Sequence, residues 1–149
     1  MSIVMETGKL INRISNRLRR RSRTVQETLG ISGAKGTILD YILVESVKHP
    51  VYQREIEKEF DLRPSTATEV LKHLEEAELI VRVPDENDGR LKKIVFTEKA
   101  KAIQETLRAE IEESESILLR GISGEEQALF MKLTARMLAN LEEEEQKHE

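Results

Sequence analysis

Along the longer stretches of this chain apolar residues recur every three or four positions, and over two short stretches near the middle they alternate with polar ones. The pattern therefore predicts helices interrupted by a single hairpin. From Glu6 to Leu29 the stripe is Leu10, Ile11, Ile14, Leu18, Val25 and Leu29, and Gly30 supplies the stop. Ser32 is placed to cap a second helix, Gly33 to Val47, with Ile38, Leu39, Ile42, Leu43 and Val47 facing inward. His49-Pro50 breaks that helix, because the residue before proline is pushed out of helical geometry. Val51 and Tyr52 predict a short strand or extended bridge, and Gln53 to Phe60 a two-turn helix anchored by Ile56 and Phe60, with Leu62 filling the turn after it. Pro64, tolerated at a first helical position, opens a helix that ends near Glu78 with Ala67, Val70, Leu71, Leu74 and Ala77 packed inward. Leu79 to Val83 and Leu91 to Phe96 read as strands joined by an Asp/Asn/Gly-rich tip, in which Gly89 is available for a positive φ. Thr97 can cap a long helix to about Leu119 with the stripe Ile103, Leu107, Ile111 and Leu118, and Gly121 interrupts it. Ser123-Gly124-Glu125-Glu126 is a capping box that opens a last helix carrying Leu129, Phe130, Leu133, Met137, Leu138 and Leu141 before it dissolves into Glu142 to Glu145.

A chain of 149 residues suits one domain with a substantial apolar interior. Charged residues make up 35% and aromatics 3%, a balance of helix-rich soluble proteins that leaves little material for a large aromatic cofactor pocket. The absence of cysteine excludes disulfides, thiolate metal ligands and thiol redox sensing. His49, His73 and His148 are scattered without ligand spacing, so no metal and no cofactor is expected. Gly8, Asn12, Arg13 and Asn16 interrupt the N-terminal apolar residues, which argues against a signal peptide or membrane span and places the expectation in the cytoplasm. No Gly-rich phosphate loop, nucleophile elbow or metal motif occurs, so an enzyme is the weakest reading.

The net charge of −4 argues at first sight against a polyanionic partner. Its distribution is more informative: residues 1–47 hold eight Lys/Arg against four Asp/Glu, residues 48–97 nine against eleven, and residues 98–149 seven against thirteen. On a helix beginning at Pro64, Ser65, Thr68, Glu69, Lys72 and Glu76 point outward. Serine, threonine and lysine are ordinary contacts to phosphate and base edges, and glutamate can accept from the cytosine amino group. Any solvated helix shows such residues, but a short helix, a Leu-plugged turn, a Pro-opened helix and a hairpin in that order suit a DNA-reading module. At the hairpin tip Arg90 fits a narrow minor groove, and Asp88 could hold the tip through a backbone N–H or an arginine. Lys92 shares the face of Arg90 and suits a phosphate, whereas Lys93 falls on the other face and reads as a solvating charge.

With these segments in view the chain resembles the MarR family of winged helix-turn-helix regulators over nearly its whole length. The resemblance is carried by the Arg-rich first helix, Leu29-Gly30-Ile31-Ser32, Leu62-Arg63-Pro64-Ser65-Thr66-Ala67-Thr68, Leu79-Ile80, Asp85-Glu86-Asn87-Asp88-Gly89-Arg90 and Phe96-Thr97-Glu98-Lys99-Ala100; the wing pattern Asp, two residues, Asp, one residue, Arg is its most specific piece. It implies a single domain that is mainly α with a small β-hairpin wing, in which residues 33–97 form the DNA-binding lobe and the helices at 6–29 and 98–146 the dimerisation lobe. It further implies a cytoplasmic homodimer that binds double-stranded DNA, usually as a repressor, and releases it when a small aromatic or lipophilic effector binds between the lobes. The DNA contacts would come from Arg63, Ser65, Thr66, Thr68, Glu69, Lys72, Arg90 and Lys92, with Asp88 and Gly89 positioning the wing, and Ile11, Ile14, Leu18 and Tyr41 could approach the effector cavity or simply be core. Asn87 stands where many members carry arginine, and Glu69 where many carry an arginine or another polar base reader. The alternative, favoured by net acidity and by Glu69, is a winged-helix protein-interaction module that has lost DNA binding. The arginines at 13, 17, 19, 20, 21 and 23 either pair with the partner's Glu142–Glu145 run or flank DNA.

Overall fold

Backbone capping, more than helix propensity, sets where the elements of this protein stop. The structure, a computed structural model, describes residues 4–31 and 33–148. In chain order the elements are α1 (Thr7–Thr28), α2 (Ala34–Glu45), α3 (Gln53–Glu59), α4 (Pro64–Glu76), β1 (Ile80–Pro84), β2 (Lys92–Phe96), a 3-10 turn (Glu98–Ala100), α5 (Lys101–Leu118) and α6 (Gly124–Gln146). They form two compact units, Met1–Glu112 and Glu113–Glu149.

Three helices of the first unit end in the same way. After α1, Gly30 turns to φ +73° and the Ile31 N–H reaches back to the Gln26 carbonyl. After α3, Asp61 takes φ 50° and the Leu62 N–H bonds Glu57 O; after α4, Glu78 takes φ 61° and the Leu79 N–H bonds Leu74 O. Each left-handed residue satisfies orphan carbonyls and drives the next apolar side chain back over its helix. Ile31 and Leu79 are buried as a result, and Leu62 is half-buried in the turn that joins α3 to α4. Two of the three left-handed positions are not glycine, so these ends accept a backbone cost of roughly 1 kcal/mol each in exchange for that seating.

The core of this unit is Ile38, Leu39, Ile42 and Leu43 of α2, Val51, Ile56 of α3, Leu71 and Leu74 of α4, Ile80, Ile94 and Leu107. β1 and β2 pair antiparallel with Ile80 opposite Phe96 and Pro84 opposite Lys92. Tyr52 is extended, and the carbonyl of Val51 before it accepts from Ile94 N–H at 2.8 Å, which ties the hairpin to the start of α3. Thr97 both accepts from Ala100 N–H and donates to the Glu78 carbonyl, so one side chain caps the turn before α5 and the end of α4. Gly36 lets α1 and α2 approach: a Cβ there would meet the Gln26 side chain and lie 2.5 Å from the Ile31 carbonyl oxygen.

Several expectations change. Val47 is exposed, because α2 stops at Glu45 where the His49 N–H takes up the Glu45 carbonyl ahead of Pro50. Ala77 is exposed because α4 ends at Glu76 and leaves it as the capping residue. Leu118 is exposed at the end of α5. The strands each begin one residue later than the alternation suggests, since Leu79 completes the α4 cap and the Leu91 N–H closes the tip turn. Glu142 to Glu145 do not end α6, which continues to Gln146. Ser32, the expected cap of α2, lies outside the described residues, and Gly33 at φ 75° is the residue that precedes the helix.

Inside the first unit Asp40 of α2 receives a hydrogen bond from Gln26 Nε2 of α1 at 3.0 Å, and its other oxygen has no partner among the described residues. Burial, and after it the nearby Glu110 carboxylate, raise its pKa to about 6. The folded state thus holds this proton more tightly than the unfolded chain, so stability falls as pH rises from about 4 through 6 and the full cost remains above that window. Asp40→Asn is expected to raise the melting temperature by several degrees at pH 7.5 and by only about a third as much at pH 4.5, where the folded state still holds the proton but the unfolded chain has largely lost it. Equal shifts at both pH values in a thermal melt would contradict this account.

In the second unit the capping box forms as the sequence suggests: Ser123 Oγ accepts from Glu126 N–H and the Glu126 carboxylate from Ser123 N–H. Gly121 takes φ +78° ahead of it. Within this unit α6 exposes Leu129, Phe130, Leu133, Met137, Leu138 and Leu141. No helix among the described residues is long and apolar enough to cross a membrane.

Candidate nucleic-acid interface

Pro64 opens α4 with its missing N–H at a position where no helical bond is needed, and Arg63 before it is extended, as a residue preceding proline must be. Thirteen residues at 1.5 Å each make a rod of roughly 20 Å, a length suited to a major groove. Ala67, Leu71 and Leu74 are buried, and Val70 is half-buried. The opposite side is fully solvated: Arg63, Ser65, Thr66, Thr68, Glu69, Lys72 and Glu76 are all exposed. The structure therefore leaves open to solvent, on α4 and at its N-cap, the six residues of this segment singled out for base and phosphate contact.

A polar chain that the sequence reading missed ties this helix to its neighbours. Arg82 of β1 donates through Nε to Glu75 of α4 at 3.1 Å and through Nη1 to Gln53 Oε1 of α3 at 2.9 Å. Gln53 Nε2 then donates to Thr68 Oγ1 at 2.9 Å and to Glu57 at 3.0 Å. The available signal was the alternation itself, since Arg82 is in phase with the buried Ile80 and so on the inner side of its strand.

The wing is held by Asp85, a second residue without an assigned role in the sequence reading. Asp85 is 8% exposed and accepts from Tyr52 Oη at 2.8 Å, from Asn87 N–H at 3.0 Å and from Asp88 N–H at 3.2 Å. The Tyr52 hydroxyl, followed by the two backbone donors and Lys93, keeps its carboxyl below the usual carboxylate range. A carboxylate immediately before a polar tip, next to a tyrosine leading into a helix, is the pattern that could have revealed it. Asp88 follows with its own turn: its carboxylate accepts from Arg90 N–H and from Nε and Nη2 of the Arg90 guanidinium, at 3.1, 3.1 and 3.2 Å. Its carbonyl takes the Leu91 N–H at 3.0 Å. Gly89 is not at positive φ, contrary to expectation, because this four-residue turn closes through Asp88 in ordinary right-handed geometry. Arg90 is left with 91% of its side chain exposed while its guanidinium plane is oriented by Asp88. Lys92 is exposed, whereas Lys93 lies 3.9 Å from Glu86 and is mostly covered, so it is more than a solvating charge.

Of the four residues considered for an effector, three lie on α1 and Tyr41 lies on α2. Ile11 and Ile14 are about half exposed on α1, and Leu18 is half-buried further along it. Tyr41 packs edge-on against Phe60 with ring centres 5.4 Å apart and donates to Glu55 at 2.9 Å. Burial and that carboxylate push its hydroxyl pKa upward. A cavity of about 230 Å³ lies elsewhere, between Leu43, Val44, Val47 and Lys48 at the end of α2 and Arg108, Ile111 and Glu112 of α5. None of the four lines it. Arg108 Nε is buried there without a partner among the described residues.

The family model described as MarR family matches residues 46–92, from the end of α2 through α3, α4 and the wing to the first residue of β2. A curated relative from Bacillus subtilis (strain 168), the uncharacterised HTH-type transcriptional regulator YybA, is 32% identical over 101 residues, which span 67% of either chain. Among solved structures, the transcription regulator MarR from Oenococcus oeni PSU-1 is 28% identical with a TM-score of 0.72, over 89% of this chain and 98% of its own. MepR of S. aureus in its DNA-binding conformation is 25% identical with a TM-score of 0.76, over 90% of this chain and 97% of its own.

Proposed function

As this chain belongs to the MarR family of winged-helix transcriptional regulators, we propose that it acts as a homodimer that binds a near-palindromic DNA site, represses transcription there, and is released by a small aromatic or lipophilic effector. The observation that carries the DNA reading is the pairing of a solvated α4 face with an oriented, exposed wing arginine in one compact unit. Arg63, Ser65, Thr66, Thr68, Glu69 and Lys72 read the major groove and its phosphates, Arg90 enters the adjacent minor groove, and Lys92 neutralises a backbone phosphate. Asp85 and Asp88 hold the tip at the angle this requires. MepR, solved in a DNA-binding conformation, has the same fold at 25% identity, which supports the reading.

The dimer reading rests on α6, where Leu129, Phe130, Met131, Leu138 and Leu141 are each more than half exposed and Leu133 and Met137 more than a third. A stripe of that size calls for a partner surface. Leu10, Ile11 and Ile14 of α1 add a second uncovered strip. For the effector, the α2–α5 cavity offers apolar walls with Lys48 and Arg108 at hand for an acidic group. Fluorescence anisotropy with duplexes from the DNA upstream of the protein's own gene tests the central claim. Nanomolar binding at modest salt, well above that to random duplex, is the expected result; equal affinity for both would reject it.

A further inference from the structure

We infer that the Arg82–Gln53–Thr68 chain sets the hydrogen-bond polarity of the recognition helix, so that Thr68 presents a donor to DNA and selects an acceptor such as a purine N7, a carbonyl oxygen of a base, or a phosphate oxygen. The inference rests on the DNA-binding role proposed above and adds to it which chemistry one position reads and what controls it.

Two neighbours of the Gln53 amide, Arg82 and Glu57, have polarities that are not adjustable. A guanidinium has only donors, so the Gln53 side-chain atom 2.9 Å from Arg82 Nη1 must be the amide oxygen. The amide nitrogen is thereby turned toward Glu57 and Thr68, at 3.0 and 2.9 Å, and its two hydrogens serve these two acceptors. Both partners agree with the orientation that Arg82 dictates, since a carboxylate also can only accept. Thr68 Oγ1 is consequently an acceptor toward the protein, and its own hydrogen is left to point elsewhere.

Threonine in a helix ordinarily returns that hydrogen to the carbonyl of the preceding turn. Thr24, Thr28, Thr37, Thr106 and Thr134 of this chain all do so. Among the described residues Thr68 makes no such bond, and the carbonyl it would use, that of Pro64, is approached instead by Gln53 Nε2 at 3.4 Å. Thr68 lies on the exposed face of α4. A hydroxyl with one lone pair engaged and its hydrogen unspent, held on a groove-facing surface, recognises acceptors. Arg82 also grips Glu75, so the strand that leads into the wing and the helix that reads the groove share the cation that sets this polarity.

A double-mutant cycle measures the coupling. The probe is a duplex that the wild-type protein selects from a random-sequence library, with binding read by anisotropy. Thr68→Val is expected to weaken binding at least about tenfold, the sum of two hydrogen bonds per dimer, and Thr68→Ser to stay within about twofold. Gln53→Glu replaces the amide donor by an oxygen that can only accept, so the Thr68 hydroxyl turns inward to donate. In that background Thr68→Val should cost less than about twofold, and the uniform penalty of the added negative charge cancels from the cycle. Arg82→Met combined with Glu57→Met, which removes both groups that fix the Gln53 amide and so frees it to rotate, provides a second background without an added negative charge, and there too the cost of Thr68→Val should fall. A Thr68→Val penalty that is the same in every background, or absent in the wild type, overturns the relay while leaving DNA binding intact. A wild-type protein that selects no duplex at all removes both the relay and the reading beneath it.

Discussion

Phe130→Glu combined with Leu141→Glu is expected to convert the protein to monomers at micromolar concentration and to weaken operator binding at least about a hundredfold. The two side chains are 59% and 62% exposed within their own unit and lie near the two ends of the α6 apolar stripe, so their replacement removes little intrachain packing. In a symmetric dimer each is buried twice. At about 2 kcal/mol for each buried side chain the loss comes to roughly 8 kcal/mol, before the cost of burying four carboxylates is counted. That exceeds what the exposed ion pairs open to the α1 arginines could restore, at about 0 to 1 kcal/mol each. Sedimentation velocity reads the mass, circular dichroism checks that α6 is retained, and anisotropy reads the DNA. A double variant that remains dimeric, with unchanged affinity, would place the subunit interface elsewhere.

Arg90→Ala should weaken specific binding about thirtyfold or more and reduce the steepness of the salt dependence, because one cation per subunit leaves the DNA. The size follows from two symmetry-related contacts of about 1 to 3 kcal/mol each. Arg90 differs from other cations of the wing in having its guanidinium oriented by Asp88 and almost entirely exposed. Lys93→Ala provides the contrast: its ammonium is turned toward Glu86, and its removal should change affinity less than about twofold. Titrations at several salt concentrations decide the matter. Equal losses for the two variants would mean that the wing acts only through its general charge, and no loss for Arg90→Ala would take it out of the interface.

The elements of this fold were legible because their signals are local. Pro64 can open a helix but not continue one, Gly30 can end one, and Ser123 with Glu126 satisfies a helix start from within four residues. The outward set on α4 followed from helical geometry alone, and each of its members is exposed. Pattern and structure part where a capping or turn hydrogen bond between near neighbours takes precedence over apolar periodicity. Val47 and Ala77 continue the apolar stripes of their helices, but the chain leaves each helix to make a cap or a turn before the stripe ends. Gly89 suggested a left-handed turn, yet the turn is closed by hydrogen bonds to Asp88, a neighbour that suffices without unusual backbone geometry.

The amino-acid order by itself determined the succession of helices and hairpin, the solvated face of α4 and the charged wing tip, since each depends on periodicity and on residues a few positions apart. Only the tertiary structure decided that Asp85 anchors the wing through Tyr52, thirty-three positions away, and that Arg82 joins α4 to Gln53 and through it to Thr68. A hydrogen bond requires its atoms to meet within about 3 Å at a favourable angle, and for residues far apart in the chain that meeting is arranged by the packing of the core between them.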